Sequence, residues 1–135
     1  MIVADANIVA ALVLPHEDST LVERLLRAEG NWVAPPLILS ELRSVMAALV
    51  RNGRQPPERG TALFALATEA LEAVTFEPDA RRVMELVAAS GCSSYDCEYI
   101  AVAEELGCRL VTWDRAILQA FPDIALRPEA IAGVH

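Results

Sequence analysis

Four acidic residues, Asp5, Glu41, Asp96 and Asp114, stand at positions where carboxylates could do chemistry together. Asp5 directly follows the short run Ile2-Val3-Ala4, and Asp114 follows Leu110-Val111-Thr112-Trp113 in the same way. If both runs are strands and neighbours, the two carboxylates meet at one end of a sheet. Each could equally cap the next helix, where a carboxylate suits the positive end of the helix dipole. Glu41 has Leu37, Ile38 and Val45 three or four residues away, so on a helix it sits beside the apolar stripe. An ionised carboxylate is costly there unless it reaches water, pairs with an arginine such as Arg43, or meets a cation or hydrogen-bond donor. Asp96 falls in the first turn of a helix, with Tyr99, Ile100 and Ala103 on roughly the same face. That helix runs to Gly107, and the next strand returns to deliver Asp114 at the same end, as in a right-handed βαβ unit.

Three or four carboxylates converging on one edge repel one another, and their pKa values rise unless a cation relieves the repulsion. An all-oxygen set suits Mg²⁺ or Mn²⁺ far better than zinc. Such a site can polarise a phosphodiester, lower the pKa of a bound water and stabilise the leaving oxygen. Metal-assisted phosphodiester hydrolysis is the chemistry this pattern predicts. A metal would also let a chain of net charge −8 approach RNA.

The elements that must position these acids read as an alternation of strands and helices. Ile2-Val3-Ala4 is a short strand, residues 8–14 a short helix stopped near Pro15, and Ser19 or Thr20 the cap of a second helix closed by Gly30. Trp32-Val33-Ala34 is a second strand. Pro35-Pro36 then opens a longer helix that carries Ile38, Leu42, Val45, Met46 and Leu49 and ends near Asn52-Gly53. A further helix is expected over 58–73, a third strand at Val74-Thr75-Phe76, and a helix over 78–89 broken by Gly91. Ser94 is expected to cap a helix over 95–106, followed by a strand Arg109-Leu110-Val111-Thr112, a short helix over 115–120 and a fifth strand at Ile124-Ala125-Leu126. The pattern predicts a three-layer α/β/α sandwich around a short, mainly parallel sheet of four to five strands. In such sheets ligands bind beyond the carboxyl ends of the strands, which is where Asp5 and Asp114 fall.

With 135 residues, 54% of them hydrophobic, the chain is expected to form one domain over residues 1–135. All eleven basic side chains are arginines and lysine is absent, so a polybasic patch is not its dominant feature. Arg43, Arg51, Arg54 and Arg59 cluster and could contact phosphates, although solvated or acid-paired arginines fit the same spacing. Cys92, Cys97 and Cys108 form no CxxC pair and read as reduced thiols, and His16 and His135 lie too far apart to suggest zinc. No apolar segment is long enough to span a membrane, and the N-terminal stretch lacks a basic leader. A cytoplasmic location is expected.

Four segments, IVADANIVAAL, LSELRSVMAAL, SSYDCEYIAVAEELG and LVTWDRAIL, occur in an order and spacing that span nearly the whole chain. In these the sequence resembles a PIN domain, and in size the VapC-type toxins of bacterial toxin–antitoxin pairs. The resemblance implies a Mg²⁺- or Mn²⁺-dependent ribonuclease, a homodimer, and silencing by a small antitoxin. It implies Asp5, Glu41, Asp96 and Asp114 as the acidic quartet, with Asp5 and Asp96 the most direct metal ligands. Glu41 would hold a water on the ion or a second ion, and Asp114 would complete the site. Asn7 and Thr112 match polar positions that support the quartet. The sequence departs from some members in having Arg115, Ala116 and Ile117 after Asp114 rather than a further acid, which puts a second metal in doubt.

Other functions compete with this reading. An aspartyl phosphotransferase would use Asp5 as nucleophile, but it usually needs an acid where Asn7 stands and a nearby lysine. A PIN nuclease of RNA processing would keep the chemistry without the toxin role. A degenerate binding module would keep the fold alone.

Overall fold

Short β-branched runs become strands and amphipathic runs become helices in a computed structural model that describes residues 1–71 and 75–131. Strands β1 (Ile2–Ala4), β2 (Trp32–Val33), β3 (Leu110–Val111) and β4 (Ala125–Leu126) form one sheet in the order β2-β1-β3-β4, every pair parallel. Nearly every strand residue is buried, as expected when helices cover both faces of a parallel sheet. Helices α1 (Ala6–Val13) and α2 (Ser19–Ala28) connect β1 to β2. Helices α3 (Leu37–Arg51), α4 (Pro57–Thr68), α5 (Ala80–Ser90) and α6 (Ser94–Leu106) lie between β2 and β3. Helix α7 (Arg115–Ala120) leads to β4, and a 3₁₀ turn (Pro128–Ala130) follows.

The chain leaves β1 in one direction to make β2, then crosses back to make β3 on the other side of β1. The switch point therefore falls between β1 and β3, the crevice where open α/β sheets bind ligands. Ala4 pairs with Val111, and the Asp5 N–H donates to the Val111 carbonyl at 3.1 Å. This ladder sets Asp5 beside Thr112 at the carboxyl edge of the sheet.

Packing fixes the helices that carry the other two acids. Helix α3 turns Ile38, Leu42 and Met46 into the core and pairs with α4. The pair approaches closely because Gly60 faces α3: a Cβ there would stand 2.8 Å from Val50 Cγ2. Helix α6 buries Cys97, Tyr99, Ile100, Ala101, Val102 and Ala103 and packs against β1 and β3.

The observed elements depart from the expected boundaries in a few places. Thr75 and Phe76 belong to no strand, although Leu71 makes an isolated parallel bridge with Trp32 and the Phe76 N–H donates to the Ala34 carbonyl at 2.9 Å. Val74, in the same expected strand, lies outside the described residues. The helix expected over 58–73 ends at Thr68, with Ala73 outside the described residues. Ser93 rather than Ser94 caps α6, its hydroxyl accepting from the Asp96 N–H at 3.1 Å. Gly91 and Gly107 close α5 and α6 in the left-handed conformation.

Candidate metal centre

Asp5 is 8% exposed and its carboxylate is fixed at both oxygens. Oδ1 accepts from the Ala6 N–H at 2.8 Å, and Oδ2 accepts from the Thr112 hydroxyl at 2.5 Å. Thr112 is fully buried, and its oxygen in turn accepts from the Asp114 N–H at 3.0 Å. One hydroxyl thus ties the ends of the two central strands together and aims Asp5. Asp114 Oδ1 accepts from the Ile117 N–H at 3.1 Å and caps α7. Capping and site placement therefore coincide for both aspartates, because a strand's end at the carboxyl edge is also the next helix's start. Each oxygen has a second lone pair to offer.

Glu41 lies on α3, half-buried, and Oε1 accepts from the Tyr99 hydroxyl at 2.5 Å. Tyr99 is 2% exposed on α6, so this bond joins two helices separated by 58 positions in sequence. Asp96, also on α6, is half-buried three residues before Tyr99. The sequence spacing puts Tyr99 on roughly the same face of α6 as Asp96, without giving it a role. A buried phenol needs a hydrogen-bond partner, and that was the available signal. Glu98 is a further acid of α6 whose field reaches Glu41.

The electrostatics join the acids into one group. Burial raises the pKa of Asp5, and Asp114 and Asp96 raise it further against the lowering effect of its two hydrogen bonds. Burial likewise raises Glu41, with Asp5, Asp96 and Glu98 adding to the rise and the Tyr99 bond opposing it. Asp96 is raised by burial and then by Asp114. Tyr99 is pushed far up by burial and by the Glu41 carboxylate, so it remains a donor.

Among the described residues, no three His, Cys, Asp or Glu side chains stand close enough to hold an ion as they lie. Asp5, Glu41 and Asp114 each already accept a hydrogen bond from the protein, from Thr112, Tyr99 and the Ile117 N–H. The donor set nevertheless fits a hard divalent cation: carboxylate oxygens with lone pairs to spare, and a shared field that favours positive charge. Asn7 sits exposed in the first turn of α1. Arg43 stacks on the Phe64 ring, 4.8 Å from its centroid, and lines a groove of about 430 Å³ between α3 and α4 that none of the four acids borders. No helix of the described residues is long and apolar enough to cross a membrane.

Two predictions follow from this geometry. Thr112→Val, which keeps the shape and removes the hydroxyl, should cost about 1–3 kcal/mol of metal-free stability in urea unfolding at neutral pH; an unchanged midpoint would show that the Asp5–Thr112 bond does not hold the strands. The second concerns pH. The folded pKa values of Asp5, Glu41 and Asp96 lie above their ordinary values of 3.8, 4.5 and 3.8. The folded state therefore binds more protons than the unfolded chain as pH rises from about 4. Each of the three groups stabilises the metal-free fold in mild acid relative to neutral pH, and that contribution is lost as pH rises through the folded pKa. Thermal unfolding from pH 4 upward should show wild type losing more stability than Asp5→Asn; parallel curves would mean that Asp5 titrates at an unperturbed value.

Comparison with known proteins places the fold and the family. Residues 2–122 match the PIN domain family. Ribonuclease VapC3 of Pyrobaculum aerophilum is 27% identical over 124 residues, covering 90% of this chain and 95% of that protein. The crystal structure of PAE2754 from Pyrobaculum aerophilum superposes with a TM-score of 0.76 at 21% identity, over 95% of this chain and 90% of the other. That of FitAcB from Neisseria gonorrhoeae gives the same TM-score at 15% identity, over 97% of this chain and all of the other. The α/β sandwich expected from the sequence is the fold these structures share, and with the family match covering most of its length, the chain belongs to the PIN domain family.

Proposed function

We propose that this protein is a divalent-metal-dependent endoribonuclease, with Asp5, Glu41, Asp96 and Asp114 as its acidic quartet. The observation that carries the reading is that Asp5 and Asp114 stand at the switch point between β1 and β3, tied through Thr112, and that burial and neighbouring carboxylates raise Asp5, Glu41 and Asp96. Membership of the PIN family and similarity to a protein named as a ribonuclease support it.

In this reading Asp5 and Asp96 are the principal ligands of Mg²⁺ or Mn²⁺, with Glu41 and Asp114 completing the set. The bound ion supplies Lewis-acid polarisation of the phosphodiester and charge for the leaving oxygen. Thr112 holds Asp5 in one orientation, so the carboxylate need not reorganise during the reaction. Tyr99 holds Glu41 Oε1, so Oε2 is the oxygen through which Glu41 would meet a water on the ion or a second ion. Asn7, exposed at the start of α1, is a supporting polar residue by the family resemblance.

The similarity to a VapC ribonuclease supports a toxin role; the small antitoxin and the homodimer are what the family resemblance implies, and the cytoplasmic location is the expectation from the sequence.

RNA incubated with the purified protein should be cleaved in Mg²⁺ or Mn²⁺ and spared when a chelator is added. Asp96→Asn should lower the rate at least about 100-fold. The same substitution should leave the metal-free fold no less stable, because it removes one charge from a repelling group. Cleavage that survives both the chelator and Asp96→Asn would refute the metal mechanism. A large loss of metal-free stability would make Asp96 a structural cap.

A further inference from the structure

The chain has two tryptophans, two tyrosines and three phenylalanines, and two of these aromatics directly precede acids of the site: Tyr95 before Asp96, and Trp113 before Asp114. Trp113 follows Thr112, so its Cα is one peptide step, about 3.8 Å, from the backbone of each neighbour that builds the site. Its indole stacks on the His16 imidazole, with centroids 5.2 Å apart and planes 14° from parallel. Both rings are held at their edges. The Trp113 indole N–H donates to Glu129 Oε1 at 3.1 Å, and His16 Nδ1 accepts from the Asp18 N–H at 3.0 Å. The His16 side chain remains 40% exposed. Tyr95, in the first turn of α6, is 63% exposed.

Trp113 packs against the core as well as against His16, so the solvent-exposed part of the stack is the His16 ring, and the stack begins one residue from a carboxylate that would act on a phosphodiester. A chain of net charge −8 without lysine gains little from long-range attraction to a polyanion, so non-ionic contacts must supply more of the grip. Base–aromatic stacking is such a contact, and it tolerates any base because each has a π face.

We propose that the His16–Trp113 stack is a base-stacking subsite of the acidic site, its exposed imidazole holding a nucleobase next to the scissile phosphodiester. The proposal rests on the ribonuclease reading above and adds a contact for one base of its substrate.

Tryptophan emission gives a direct test, because Trp32 is fully buried and Trp113 is half-buried. Asp96→Asn protein in Mg²⁺, which keeps the RNA intact, is titrated with fluorescein-labelled oligoadenylate, read by RNA anisotropy and, with unlabelled RNA, by protein emission. Binding should quench the Trp113 emission. Trp113→Ala and His16→Ala should each weaken binding by about 5- to 100-fold, while Trp113→Phe retains most of the affinity. In the otherwise wild-type enzyme, His16→Ala should raise KM and leave kcat nearly unchanged. The salt dependence of binding should be shallow, since few phosphate counterions are released. If Trp113→Ala does not fold, quenching in the unaltered ring and the His16→Ala and Trp113→Phe titrations decide. Unchanged RNA affinity in the variants, with no quenching, would make the stack a clasp between the loop after α1 and the 3₁₀ turn; the ribonuclease reading would survive. If wild type neither binds nor cleaves RNA in any metal, the ribonuclease reading fails and the stacking proposal falls with it.

Discussion

The parallel ladder between β1 and β3 is the constraint on which the site depends. It is short, with Val3 and Ala4 paired to Leu110 and Val111, yet it fixes Asp5 beside Thr112 across 107 positions of sequence. The Thr112 hydroxyl then uses both of its capacities, donating to Asp5 and accepting from the Asp114 N–H. Two carboxylates of like charge are thereby held at one edge of a buried sheet, where water alone would let them separate. The Tyr99–Glu41 bond brings a third acid in from α3, against α6, which carries the fourth. Every other element serves this arrangement: the strands are buried on both faces, and the α3–α4 and α5–α6 pairs set where Glu41 and Asp96 stand.

This arrangement works against stability in the absence of a counter-charge. Asp5, Glu41 and Asp96 are raised by burial first and further by neighbouring carboxylates, Asp114 among them. Functional sites commonly hold such locally unfavourable groupings, which the rest of the fold sustains. Here that support is a core of Val, Ile, Leu and Ala side chains closed around a four-stranded sheet. The hydrogen bonds to Asp5 and Glu41 lower the cost of keeping them charged and fix their orientation, so one set of contacts serves both stability and the proposed chemistry.

Much of this was legible in the residues. Asp5 and Asp114 were located because a strand that ends in an acid places it at the carboxyl edge, and the neighbouring of β1 and β3 was the condition on which their meeting depended. Glu41 stood out because an acid beside an apolar stripe requires a partner. The partner itself, Tyr99, was not legible, because its contact with Glu41 depends on how α3 and α6 pack rather than on any local spacing. The expected strand at Val74-Thr75-Phe76 failed at Thr75 and Phe76 for a related reason. β-propensity marked the segment, but among the described residues Thr75 and Phe76 join no ladder, and the Phe76 N–H donates to the Ala34 carbonyl. The cap of α6 moved by one residue because Ser93 and Ser94 are alternatives that sequence cannot rank. The His16–Trp113 stack joins the loop after α1 to the end of β3 and has no sequence signature.

Thermal unfolding at neutral pH with and without Mn²⁺, on wild type and Asp96→Asn side by side, tests the central claim most directly because it requires no substrate. An ion bound at about 100 times its dissociation constant adds roughly 2.7 kcal/mol, which for a domain of this size is a rise in Tm of about 10 °C. The account predicts such a rise in wild type and its loss in Asp96→Asn. An equal rise in both proteins, or none in wild type at saturating Mn²⁺, would contradict the assignment of these four carboxylates to a metal centre.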